Sequence, residues 1–302
     1  MSRFTTGLMK PETSRIRESR SIAASASERT IKNPLSISLV LPAYNEAAVI
    51  TQAVEEADAA LASLVTDYEI LVVDDGSTDE TLAILKTLKS KHSRLRVLPQ
   101  PGNLGYGAAL RRGFQEATKE LVGFTDADCQ FELHELDRLL MLSQDYPIVC
   151  GYRIDRQDPF LRCLYSRIYN SLVRTLLGTR VRDCDCAMKL MHRSVLSELP
   201  ITTDGFLVNG EMLSQARQKE LPVVEVGVTH RPRAAGESKV SIKEIPIVLM
   251  ALLRFWWSRV LFAGEASPEE GSWPISKRVV VSCLLLLLSA AGLCWNLDYS
   301  LS

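Results

Sequence analysis

No charge sign dominates these 302 residues: 35 Lys and Arg face 36 Asp and Glu, a net charge of -1. That balance excludes the global basic field by which nucleic-acid binders gather on a polyanion. Histidine is scarce, with four residues, and none of them stands at a zinc-finger spacing from Cys184 and Cys186, which form C-x-C rather than C-x-x-C. The seven cysteines are odd in number and spread along the chain, which excludes a disulfide framework and fits reduced thiols facing a cytosol. Also missing is the dinucleotide fingerprint. The glycines of GNLGYG sit at 102, 105 and 107, off the G-x-G-x-x-G register, which disfavours a nicotinamide cofactor.

Residues 1–33 lack an apolar run and carry seven Lys and Arg against three Glu; they read as a disordered basic arm rather than a signal peptide. From Ser36 the pattern becomes regular. Apolar β-rich runs at Ile37–Leu41, Tyr68–Val73, Arg96–Leu98 and Leu121–Thr125 alternate with helical spacing at Glu46–Leu64, Asp79–Ser90 and Tyr106–Thr118. The second half is less regular, with helices expected at Pro159–Leu177 and Gly210–Lys219 and strands at Ala187–Met191 and Val223–Val228. Strands alternating with helices predict an α/β fold, a Rossmann-like and largely parallel sheet flanked by helices, occupying residues 34–243.

The remaining chain reads as membrane attachment. Residues 244–263 are apolar but interrupted by Arg254 and Arg259 and hold Trp256 and Trp257, the signature of an amphipathic interfacial helix. A linker follows over 264–278. Residues 279–297 carry no charge; at about 1.5 Å per residue they reach roughly 28 Å and are expected to form one transmembrane helix. Lys277 and Arg278 before that run and Asp298 after it place residues 1–278 on the cytoplasmic side.

Parallel sheets bind ligands where their strands end, and here those ends are polar: Pro42 to Glu46, Asp74 to Ser77, and Asp126-Ala127-Asp128. Ser77 to Asp79 also supply oxygens able to cap the next helix. Two carboxylates at alternate positions, where a strand runs into a loop, suit a hard divalent ion whose other ligands are water and phosphate oxygens. Carboxylates crowded on one sheet edge need a cation or donors to offset their burial. Arg153, Arg162, Arg233 and Lys239 are candidates to face a diphosphate.

Taken in order, LPAYNE (41–46), VVDDGSTDET (72–81), GNLGYGAALRRG (102–113), TDADCQF (125–131), GYR (151–153), RCLYS (162–166), DCDCAMKL (183–190) and RAAGESK (233–239) resemble the family 2 glycosyltransferases of the GT-A fold. Within them the set is similar to the dolichyl-phosphate mannosyltransferase-like and polyprenyl-phosphate glycosyltransferase branch. The resemblance implies that Pro42, Tyr44, Glu46, Asp75 and Asp126 bind the nucleotide, Asp75 accepting from the base ring. It implies that Asp126, Asp128 and Gln130 hold Mg²⁺ or Mn²⁺ on the diphosphate. It further implies that Arg153, Arg162 and Ser166 bind phosphates, the latter two facing the lipid acceptor, and that Arg233 and Lys239 close over the donor and work with Asp128 in catalysis. Cys129 stands where Leu is common, Phe131 where His is frequent, and Cys186-Ala187-Met188 in place of a Ser-Gly-Phe-like triplet.

The implied reaction moves a hexose from a GDP- or UDP-linked donor to a polyprenyl or dolichyl phosphate at the cytoplasmic membrane face, with inversion. An acceptor phosphate is already anionic and needs no general base. A glycan or protein hydroxyl is the alternative acceptor; it would need a base, for which Glu211 and Asp185 are candidates, although a Q-x-x-R-W motif is absent. A non-catalytic nucleotide-binding membrane scaffold is the alternative of another class. Expected partners are the nucleotide sugar, the polyprenyl phosphate, the membrane, and a membrane subunit or second copy of the chain.

Overall fold

A computed structural model describes residues 34–154, 160–232 and 245–256. The first three crossovers follow from hydrophobic runs too short to be anything but strands. β1 (Ile37–Ala43), β2 (Tyr68–Asp74), β3 (Leu95–Pro99) and β4 (Leu121–Phe124) lie parallel, with β1 between β2 and β4. Every residue of β2 is buried, as expected of a strand covered on both faces.

Helix α1 (Ile50–Leu64) buries Ile50, Ala53, Val54, Ala57, Ala60 and Leu61, one stripe at helical spacing. It starts four residues later than the apolar pattern alone suggests, because Asn45 adopts φ +52° and the next residues are held by the neighbouring loop. Asn45 N–H donates to Ser77 Oγ (3.0 Å), Glu46 N–H to Thr81 Oγ1 (2.9 Å) and Ala47 N–H to Asp79 Oδ2 (3.1 Å). Asp79 also accepts from Thr81 N–H at 3.0 Å, covering an orphan donor of α2 (Thr81–Lys91); Ser77 serves the β1 loop instead of the helix. Helix α3 (Tyr106–Glu116) packs against β1 and β2.

Two elements absent from the sequence-based expectation complete the layer: α4 (Leu136–Leu142), entered through a 3₁₀ turn at Leu133–Glu135, and β5 (Ile148–Ile154). After β5 come α5 (Phe160–Leu177), β6 (Lys189–His192), the short α6 (Arg193–Ser197), α7 (Val208–Gln218) and β7 (Val223–Thr229). The sheet order is β3-β2-β1-β4-β6-β5-β7. β7 runs parallel to β5, but β6 runs antiparallel to both β4 and β5. It begins beside the middle of β5, where Lys189 pairs with Cys150 and Gly151 N–H donates to Met188 O at 2.7 Å. The reversal places the loop before β6 on the same edge as the loop after β4.

Helix α8 (Ile245–Phe255) supplies the first part of the expected interfacial segment; Leu252 and Trp256 are buried and Met250 is exposed. Among the described residues no helix is long and apolar enough to cross a membrane. Residues 1–33, the 264–278 linker and the expected span at 279–297 lie outside the described residues.

Away from the polar edge, Glu69 ties the sheet to the α3–β4 connection. It accepts from Ser38 Oγ (2.7 Å), Thr118 N (2.8 Å), Thr118 Oγ1 (2.7 Å) and Arg96 Nη1 (2.9 Å). Burial by itself would raise its pKa, but these donors outweigh burial and hold the carboxyl at about 2, against a usual 4.5. A folded-state pKa below the unfolded one stabilises above the unfolded value and stops doing so as pH falls through the folded one. Glu69 therefore contributes roughly 3 kcal/mol at neutral pH, lost between about pH 4.5 and 2. In acid unfolding followed by circular dichroism, Glu69→Gln is expected to start from lower stability and to show a shallower loss across that window.

Candidate functional site

The polar edge is assembled from the loops after β1, β2, β3 and β4, the loop before β6, and the chain leaving β7. Asp126 is half-buried and Asp128 is buried, 4% exposed. Between Asp128 and Gln130 the backbone turns through Cys129 at φ +58°, and Gln130 N–H donates to Asp128 Oδ1 at 3.2 Å. The loop is fastened to the end of β7: Arg231 N–H donates to Gln130 O (2.7 Å), Gln130 Nε2 to Arg231 O (3.2 Å), and Phe131 bridges His230. Arg231 in turn pairs with Glu132 and, at 3.5 Å, with Glu56. Gln130 thus spends its amide N–H on the backbone, leaving its carbonyl oxygen as the group a cation could use.

Tyr106 stands at the start of α3, close to Asp126. Burial first, then the charges of Asp126, Asp128 and Asp185, push the Tyr106 hydroxyl well above the usual phenol pKa. The three carboxylates therefore share one neighbourhood. No three His, Cys, Asp or Glu side chains among the described residues form a closed metal cage. That donor set, two strand-end carboxylates with a buried Thr125 Oγ1 that finds no hydrogen-bond partner, fits a hard ion that keeps water and phosphate oxygens rather than a cage-bound structural metal.

On the nucleotide side, Pro42 and Tyr44 are half-buried and Glu46 is buried on the β1 loop. Asp75 is occupied within the protein: Oδ1 accepts from Gln100 Nε2 (2.9 Å) and Leu104 N (2.8 Å), Oδ2 from Gly105 N (2.9 Å). It shapes the 100–105 loop directly, whatever else it meets. Gly76, at φ +69°, is where that loop comes closest; an added Cβ would lie 2.3 Å from the Gly102 carbonyl carbon.

The basic half of the edge is a cleft of about 500 Å³ lined by Tyr152, Arg153, Ser166, Arg167, Asn170, Arg174, Arg182 and Asp183. Arg153 and Asp183 form a nearly buried fork-to-fork pair, Nε and Nη2 each 2.7 Å from a carboxylate oxygen. Burial opposes the Arg153 charge, but Asp183 outweighs it and raises the guanidinium pKa above its usual value; Asp185 adds to this from farther away. Arg182 lies over the Tyr152 ring, 4.8 Å from its centroid. Arg167 and Arg174 are exposed on α5, seven residues apart and so on one helical face. Arg167 and Arg174 are paired with no carboxylate among the described residues.

Asn170 joins this cleft to the loop before β6, donating to Ser166 O (2.9 Å) and accepting from Cys184 N (2.7 Å). Beneath that loop Lys189, 1% exposed, donates to Cys184 O (2.9 Å), Cys186 O and Asn209 Oδ1 (3.1 Å) and sits over the Phe124 ring. Burial pushes the Cys186 thiol up to about 12 and raises Cys184 well above its usual value, so both are inert fillers rather than nucleophiles.

Of the expected site residues, the structure places Asp126, Asp128 and Gln130 on the one loop after β4, and Arg153 and Ser166 in the lining of the cleft. Arg233, Lys239 and the Arg162 side chain lie outside the described residues. Glu211 is removed as a candidate base: it is 1% exposed and its oxygens hold Thr202 and Thr203. Sequence reasoning overlooked Tyr106, Lys189 and Arg182. The tyrosine stood in the open inside GNLGYG, whereas nothing in the local pattern marks a lysine in an apolar strand as a clamp.

A family model described as Glycosyl transferase family 2 matches residues 38–200. Glycosyltransferase AglD of Haloferax volcanii is 32% identical over 234 residues, 74% of this chain and 37% of that protein. An undecaprenyl-phosphate 4-deoxy-4-formamido-L-arabinose transferase of Pseudomonas aeruginosa is 31% identical over 271 residues, 86% of this chain and 76% of that protein. The chain thus spans little more than a third of the archaeal relative. Among solved structures, glucosyl-3-phosphoglycerate synthase from Mycobacterium tuberculosis, in complex with Mn²⁺, UDP-glucose and phosphoglyceric acid, superposes with a TM-score of 0.57 at 22% identity, covering 74% of this chain and 80% of that one. A likeness at that identity establishes the shared GT-A type of fold.

Proposed function

We propose, for a chain that belongs to glycosyl transferase family 2, that it transfers a hexose from a nucleotide sugar to a polyprenyl phosphate with inversion, at the cytoplasmic face of a membrane. The observation that carries this reading is the meeting, on one sheet edge, of an acidic site and an arginine-lined cleft. The charges of Asp126, Asp128 and Asp185 all reach Tyr106, and that of Asp185 also reaches Arg153 in the cleft wall. A donor diphosphate needs the first surface and an anionic acceptor the second.

Asp126 and Asp128, with the Gln130 carbonyl, would hold Mg²⁺ or Mn²⁺, whose chemistry here is to offset the negative charge that grows on the departing nucleoside diphosphate. The β1 and β2 loops, stitched by Ser77, Asp79 and Thr81, present a rigid floor for the nucleotide. Ser166 and the cleft arginines orient the acceptor phosphate, and Arg233 and Lys239 supply positive charge for the donor diphosphate. The acceptor oxygen is anionic from the start, so attack on the anomeric carbon requires no base. The arginine lining supports a phosphate acceptor over a neutral hydroxyl, since cations lined up for a neutral alcohol would pay desolvation without return.

Full-length protein in membranes, given radiolabelled UDP- and GDP-hexoses, polyprenyl phosphate and Mg²⁺ or Mn²⁺, is expected to yield label that extracts into organic solvent. Label confined to glycan or protein, or no product from any donor, overturns the reading. In the same assay Arg174→Ala and Arg182→Ala are each expected to raise the acceptor KM roughly 10-fold, the scale of one lost charge-assisted hydrogen bond. The donor KM should stay unchanged.

A further inference from the structure

β7 is an edge strand, Val223–Thr229, and Glu225 is its one charged residue. A half-buried carboxylate in such a strand costs desolvation unless donors meet it. Its donors are main-chain groups of the loop before β6: Glu225 Oε1 accepts from Arg182 N (2.8 Å) and Asp183 N (3.4 Å). Both amides lie outside helix and strand, so no regular ladder holds them.

Two more side chains take hold of the same loop. Asp183 receives the fork of Arg153, Nε and Nη2 each at 2.7 Å, together with Arg153 N at 3.3 Å. Cys184 N–H donates to Asn170 Oδ1 on α5 at 2.7 Å. The loop is thus pinned at residues 182, 183 and 184 by β7, β5 and α5. Arg153 and Asn170 line the cleft, whereas Glu225 holds the loop without lining it. A guanidinium is planar and its N–H groups point in fixed directions. With Nε and Nη2 turned to Asp183, the direction of Nη1 is set by where Asp183 stands.

The next residue on the same face of β7 is Gly227. In the parallel pairing Glu225 stands beside Cys150 and Gly227 beside Tyr152. A Cβ on Gly227 would lie 3.2 Å from the Tyr152 hydroxyl oxygen and 3.3 Å from its Cζ, so the missing side chain makes room for the phenol. The Arg182 guanidinium lies over that ring. One face of β7 therefore places Arg182 twice, at its amide through Glu225 and at its guanidinium through Tyr152.

We propose that Glu225 is a positioning residue for the acceptor phosphate: by holding the Arg182 and Asp183 amides it fixes Asp183, and Asp183 fixes the Arg153 guanidinium in the orientation an anionic acceptor meets. The inference rests on the arginine-lined cleft being the acceptor site.

The test is the kinetics of the full chain in membranes with polyprenyl phosphate as the varied substrate, below the melting transition of each variant as followed by circular dichroism. Glu225→Ala is expected to raise the acceptor KM about 10-fold, the scale of one lost hydrogen bond to a charged group, with the donor KM unchanged. Glu225→Thr, a residue at home in strands but too short to reach the two amides, should do the same. Glu225→Gln keeps an accepting oxygen in place and is expected to return the acceptor KM to within about threefold of the unaltered chain. Because Glu225 acts through Arg153, adding Glu225→Ala to Arg153→Ala should change the acceptor KM by less than about twofold. If Glu225→Ala and Glu225→Thr leave the acceptor KM unchanged, raise both KM values together, or act equally with and without Arg153, the positioning role is overturned. A raised acceptor KM in Arg153→Ala would then leave the cleft standing as the acceptor site. An acceptor KM that Arg153→Ala does not move overturns the acceptor site itself.

Discussion

Asp128→Ala is expected to lower kcat/KM for transfer roughly 10²- to 10³-fold with every nucleotide sugar, the scale of losing one preorganised charge at a developing anion, without unfolding the protein. Asp128 is 4% exposed and shares its surroundings with Asp126 and Asp185. Removing one of three crowded carboxylates relieves repulsion, so the melting temperature of the metal-free variant should match or exceed that of the unaltered chain. What disappears is the ligand effect. A cation that binds only the folded state stabilises it by RT ln(1 + [L]/Kd), so Mn²⁺ with UDP or GDP should raise the melting temperature of the unaltered protein and not that of Asp128→Ala. A loss of activity accompanied by a lower metal-free melting temperature would instead make Asp128 a structural residue.

Lys189→Met is expected to act in the opposite way, through the fold. Methionine fits the volume but leaves the Cys184 and Cys186 carbonyls and Asn209 Oδ1 without the donor that satisfies all three. Each unpaired buried acceptor costs on the order of 1–3 kcal/mol, partly offset because a buried charge is removed with it. A net loss of about 3 kcal/mol corresponds to a melting temperature lower by roughly 6–12 °C in a domain of this size. Because the released loop carries Asp183, the Arg153 pair should slacken too, and the acceptor KM should rise in the fraction that remains folded. Thermal unfolding by circular dichroism and acceptor kinetics below the transition separate the two effects.

These two residues also mark how far the amino-acid pattern reaches. Asp128 announces itself: an apolar strand that stops on D-x-D, two crossovers after one that stops on Asp74 and Asp75, needs little beyond strand periodicity to be placed at a sheet edge. Lys189 does not. It sits in a short run of apolar residues, and only the stacking over Phe124 and the carbonyls gathered above it explain a cation there. β5 was missed for a related reason, since its apolar part is three residues long and its outer half, Tyr152 to Ile154, is half-buried and reads as loop. α1 is shorter than its apolar pattern because its N-terminal boundary depends on Ser77, Asp79 and Thr81, thirty-odd residues away.

The sequence by itself determined the order of strands and helices through β4, the carboxylates at their ends, the balanced charge and the family, because each depends on neighbours within a turn or two of the chain. The direction of β6 was decided only in the tertiary structure. A strand in an all-parallel sheet would have put Asp183 and Asp185 on the edge opposite Asp126 and Asp128. Pairing antiparallel between β4 and β5 turns that loop round to the polar edge, where Asp183 takes Arg153 and the Asp185 charge reaches Tyr106. The meeting of acidic site and basic cleft is thus a property of register between segments some sixty residues apart, which hydrophobic periodicity, a local quantity, does not encode.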